Sequence, residues 1–115
     1  MPLYKMRLPD SLEAPDPKAA ERSKLVVDEF VNTYRTVDAQ LGPTRWNELR
    51  DNLAPVGPIV AFELRRAEWS AETAGSNFAR GLASENSFRR AIAALREACH
   101  SVVTEYRRQT QCGGC

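Results

Sequence analysis

The chain has 115 residues and a mass of 12.9 kDa, with 43% apolar and 27% charged positions and a formal net charge of +1. Average apolar content without a single-sign charge excess predicts one small soluble domain and excludes whole-chain disorder. The longest apolar runs, Ile59 to Phe62 and Ala91 to Leu95, are far shorter than the roughly 20 residues a membrane helix needs, so no membrane span is expected.

Met1 to Asp10 carries basic residues at Lys5 and Arg7 but neither the apolar segment nor the small-residue cleavage site of a secretory signal. Residues 1–15 include Pro2, Pro9 and Pro15, and a run from Tyr4 to Leu8 that alternates as a short extended arm would. Such an arm either packs on a partner or stays a loose terminus.

Asp16 followed by Pro17 is a helix start: the carboxylate can accept an orphan N–H, and proline fills the first helical position, where no donor is needed. From there Val27, Val31, Tyr34, Val37 and Leu41 recur at steps of three and four, with Phe30 beside them, until Gly42 and Pro43 stop the helix. Thr44 is placed to cap a short second helix with Trp46, Leu49 and Leu53 on one face. The prolines and glycine between Asn52 and Pro58 interrupt it, and Pro58 can open a third helix.

In that third helix Val60, Leu64, Ala67, Ala71, Ala74 and Phe78 form a stripe whose small centre allows close approach of another helix, with Phe62 and Trp69 a heptad apart on an adjoining face. Gly75 and Gly81 are expected to fray or kink it between Thr73 and Ala83. Ser84 caps a fourth helix with a regular stripe of Phe88, Ile92, Leu95, Cys99, Val102 and Tyr106, ending near Gln109. No strand pattern competes beyond the arm. The expected fold is therefore all-α: a small bundle of three longer helices and one short helix over residues 16–110, an extended arm over 1–15, and a Cys-Gly-Gly-Cys tail over 111–115.

Few residues suggest chemistry. His100 is the single histidine, and its neighbour Cys99 is rotated about 100° from it on a helix, so the two do not form a nucleophile pair. Glu97 and His100 make one Glu-x-x-His spacing where a di-iron bundle needs two. Glu63, Glu68 and Glu72 interleave with Arg65 and Arg66 as on a solvated helix face.

Cys112 and Cys115 form the sharpest local motif, with Cys99 the third cysteine. A C-x-x-C pair can close a disulfide, supply two zinc ligands or work as a redox dithiol. Following a helix C-terminus, it lacks the dipole that stabilises a thiolate, and zinc would need Cys99 or His100 in addition. A disulfide, within the tail or to a neighbouring subunit, and reduced thiols are the readings that remain. Reduced thiols fit a cytoplasmic protein or one assembled inside the cell.

Sixteen basic against fifteen acidic residues create no global field for nucleic acid; residues 84–115, with five basic and three acidic, are the more basic end. Local candidates for phosphate contact are Arg65, Arg66, Arg89 and Arg90. The apolar residues in excess of one small core favour another reading. Trp46, Trp69, Phe30 and Phe62 are the candidate contact residues of a non-catalytic subunit or adaptor, without cofactor, that meets a protein partner or its own copies. A nucleic-acid-binding regulator and a thiol or zinc protein are the alternatives.

Overall fold

The structure, a computed structural model, describes the backbone of residues 16–114 and the side chains of residues 16–110. The predicted arm over residues 1–15 lies outside them, as do the side chains of Cys112 and Cys115. Among the described residues four α-helices run in order: α1 (Pro17–Leu41), α2 (Pro43–Asp51), α3 (Gly57–Ala79) and α4 (Glu85–Gly114). A 3-10 turn at Ala54–Val56 links α2 to α3, and no strand occurs among the described residues.

The helix ends follow from local chemistry. Asp16 accepts the Lys18 N–H at 2.9 Å, and this bond, with Arg22 beside it, holds the carboxyl below its usual range. Arg22 also donates to the Ala79 carbonyl at 3.3 Å, so the start of α1 is tied to the end of α3. At Gly42, φ is +89°, a value that favours glycine, and its N–H returns to Asp38 at 2.6 Å. Gly42 then also caps α2, with Pro43 in the first turn. Thr44 is therefore not the cap: proline one residue earlier already supplies a preset φ without an unsatisfied donor.

Gly75 does not fray α3. The helix continues to Ala79 because Gly75 is buried where three helices converge: a Cβ there would lie 3.0 Å from Val26 of α1 and 3.1 Å from the Phe88 ring of α4. Close packing outweighs the propensity cost of glycine, about 1 kcal/mol. The stop comes at Gly81, where φ is +78°; its N–H donates to Phe78 at 3.0 Å and that of Leu82 to Asn77 at 2.7 Å. This is the Schellman arrangement, which pairs the last carbonyls of the helix.

Ser84 caps α4 as expected, its hydroxyl accepting the Ser87 N–H at 3.1 Å. The helix overruns Gln109 and reaches Gly114. Arg108 and Gln109 both bond Glu105, and Thr110 donates to the Tyr106 carbonyl. Past the last apolar residue, each further helical residue needs only to gain its own hydrogen bond.

The core joins all four helices and the turn: Val37, Trp46, Leu49, Leu53, Val56, Leu64, Ala71, Phe78, Phe88, Ile92, Leu95, Cys99, Val102 and Val103. The α3 and α4 stripes fall where their spacing puts them, and α3 against α4 is the most extensive pairing. On α1 Tyr34, Val37 and Leu41 of the expected stripe pack on the core, but the first half of the face is rotated. Val26, Phe30, Thr33 and Val37 turn inward, while Val27 and Val31 stay 58% and 43% exposed. Polar links fix this rotation: Arg96 on α4 reaches Glu29 and bonds Thr33 at 3.2 Å, Arg89 lies 3.5 Å from Glu29, and Arg107 donates to the Gln40 carbonyl at 3.0 Å.

Candidate functional site

Helix α3 carries two opposed apolar faces. One is the core stripe. On the other, Ile59, Phe62, Arg66 and Trp69 succeed one another at steps of three, four and three, which brings them into a single line. Ile59 is 73% exposed, Phe62 65% and Trp69 67%, so this line meets water. Isolated surface apolar residues are ordinary, whereas two aromatics and an isoleucine on one face form a patch typical of contact surfaces. Beside it runs an open groove of about 400 Å³ between α3 and α4, floored by Ala67, Ala94 and Ala98 and edged by Glu63, Arg66 and Glu97. Arg66 has no ion-pair partner among the described residues.

The expected contact residues divide. Phe62 and Trp69 lie on this face, and Ile59, three residues before Phe62, joins them. Trp46 does not: at 2% exposure its indole fills the core between α1 and α2, 6.2 Å from the Tyr34 ring. A small core has little room for tryptophan, which points to a surface position, yet the short α2 packs its whole inner face. Its indole N–H has no acceptor among the described residues. Phe30 is half-buried against Phe88 at 6.1 Å and Tyr34 at 6.3 Å and belongs to the core margin.

A second feature is a polar cluster at the junction of α1, α2 and α3. Glu68, expected on a solvated face, is buried. It accepts from the Tyr34 hydroxyl at 3.3 Å, Arg50 at 3.4 Å and Arg65 at 3.2 Å. Arg65 also donates to the Arg50 carbonyl, and the Arg50 guanidinium lies over the Tyr34 ring at 4.8 Å. Position 68 falls on the inner side of α3, so its carboxylate is drawn in only because two arginines and a phenol meet it there. Burial, with the Glu68 charge added, pushes the Tyr34 hydroxyl well above its usual pKa. The cluster holds three helices together and leaves no open nucleophile.

One arginine of each pair is engaged in an ion pair. Arg65 is spent on Glu68, and Arg89 is paired with Glu85 at 2.6 Å and with Glu29. Arg66 and Arg90 lie exposed on different helices. Cys99 is buried and His100 exposed, so the two point apart. Along the continuous α4 backbone Cys112 stands thirteen residues beyond Cys99, about 20 Å at the helical rise, which separates Cys99 from any zinc site in the tail. Among the described residues, no three His, Cys, Asp or Glu side chains gather as metal ligands, and no helix is long and apolar enough to cross a membrane.

Burial, with the Glu68 carboxylate next in effect, pushes the Cys99 thiol up to about 12 from 9.0. A thiolate fraction about a thousandfold lower follows, so native Cys99 is expected to be alkylated at least that much more slowly than in the unfolded chain, as peptide-resolved mass spectrometry will measure. The raised pKa means that the folded state keeps this proton while the unfolded state loses it. Stability is then complete below pH 9 and declines as pH rises toward 12, at up to ~1.4 kcal/mol per pH unit for this group. Urea unfolding of the wild type and Cys99→Ala at pH 8 and 11 checks the sign, since the variant should decline less.

The chain matches no protein-family model, no curated protein and no solved structure. Its functional reading therefore rests on its own residues.

Proposed function

We propose that the protein is a non-catalytic helical subunit or adaptor that works by protein–protein contact, and that the outer face of α3 is the contact surface. The observation that carries this reading is the exposure of Ile59, Phe62 and Trp69 in one line on the side of α3 directly away from the core. A helix apolar on two opposed faces satisfies one with its own chain and leaves the other to a neighbour. Rigid aromatics lose little side-chain freedom on binding, which suits Phe62 and Trp69 as anchors. The ion pairs that engage Arg65 and Arg89 favour this over a nucleic-acid regulator, which needs free guanidinium groups for phosphate.

The test is a photo-crosslinking amino acid at position 62, compared with one at the exposed Ala93 of α4, in cells of the source organism. A discrete adduct from position 62 alone, with the joined peptide sequenced, is expected. Equal labelling from both positions, or none from 62, removes the reading.

A further inference from the structure

We infer that the partner seated on this face is a second copy of the same chain, with the two α3 helices antiparallel across a two-fold axis. This rests on the contact reading above and names its occupant. The line Ile59, Phe62, Arg66, Trp69 has the spacing three, four, three, which reads the same in both directions. Laid antiparallel on itself, with the axis at the level of residue 64, it matches Ile59 of one copy with Trp69 of the other, and Phe62 with Arg66. Every position then finds a complement: an aliphatic side chain on an indole, and a guanidinium on an aromatic ring. A two-fold contact requires this self-complementarity, whereas an unrelated partner would not impose it.

Charge gives the same answer. Arg66 forms no ion pair within its own chain among the described residues, although Glu63 lies three positions before it. In the antiparallel register it comes alongside Glu63 of the other copy, one residue off its own match. A parallel pairing would instead set Arg66 against Arg66 and lose that complement. The anchors are few: two aromatics of about 150–250 Å² each, two-thirds exposed, with Ile59 supply roughly half of the ~800 Å² per partner of a standard interface. The dimer is therefore reversible and concentration-dependent.

Sedimentation of the purified chain in reductant, so that the tail cysteines cannot bridge copies, tests this. The mass should rise with concentration from 12.9 kDa toward twice that value. Trp69→Ser and Arg66→Glu should each weaken association at least tenfold with an unchanged far-ultraviolet circular dichroism spectrum, and adding Glu63→Arg to Arg66→Glu should recover part of the loss. A mass that stays at one chain throughout, or an association indifferent to both single substitutions, overturns the inference. If the chain is monomeric while position 62 crosslinks to a different protein, self-association fails and the contact reading stands. A monomer without any such crosslink ends both.

Discussion

Phe88→Ala is expected to remove about 3–5 kcal/mol of stability, the range for losing a fully buried aromatic. Phe88 is completely buried and stands at the meeting point of three helices: its ring stacks on Phe78 of α3 at 5.9 Å, lies 6.1 Å from Phe30 of α1, and closes over the hydrogen-only surface of Gly75. The gap left by alanine cannot collapse easily, because α1 is also fixed in place, to α4 by Glu29–Arg96 and to α3 by Arg22–Ala79. A small domain has only about 5–15 kcal/mol in all, so this one change consumes a large part of it. Urea unfolding followed by circular dichroism measures it. A loss below about 1.5 kcal/mol would show that the helices close on the void, contrary to the packing described.

The second large effect is expected at Glu68. Glu68→Lys sets an ammonium against Arg50 and Arg65 in a position that leaves the side chain only 9% exposed, and should cost on the order of 3 kcal/mol or more. Glu68→Met is the informative contrast. It removes the charge but keeps the volume, and the arginines, 37% and 50% exposed, can turn to water. Only the Tyr34 hydroxyl and the lost charge-assisted bonds then count, about 1–3 kcal/mol. Equal losses in the two variants would mean that the lost hydrogen bonds, and not the repulsion of an added ammonium, set the cost at position 68. Thermal and urea unfolding of both decide this.

Much of the fold is legible in the sequence where one periodicity stands alone. The α4 stripe from Phe88 to Tyr106 has no competitor on its helix, and its spacing selects the buried residues except Val103, with Tyr106 half-buried at its end. Asp16–Pro17, Gly42 and Ser84 mark helix ends because capping is local chemistry, complete within a few residues. The face of α1 is not legible in the same way. Leu25, Val26, Val27, Phe30, Val31, Tyr34 and Val37 populate more than one stripe, and the choice between Val27–Val31 and Val26–Phe30 waits for Gly75, Phe88 and Arg96 on other helices.

The candidate site divides along the same line. By itself the sequence determined that α3 has an apolar stripe at steps of three and four, and that Phe62 and Trp69, a heptad apart, share a different face. It could not say that Trp46 fills the core while Trp69 faces water, because a tryptophan's burial depends on which helices cover it. Nor could it draw Glu68 out of a run of alternating charges, because burying a carboxylate requires donors from α1 and α2 that are 34 and 18 residues away in sequence. Helix formation and capping act over a turn or two of chain, so the sequence determined them alone; which face is covered, and which charge is buried, is a property of neighbours that only the tertiary structure brings together.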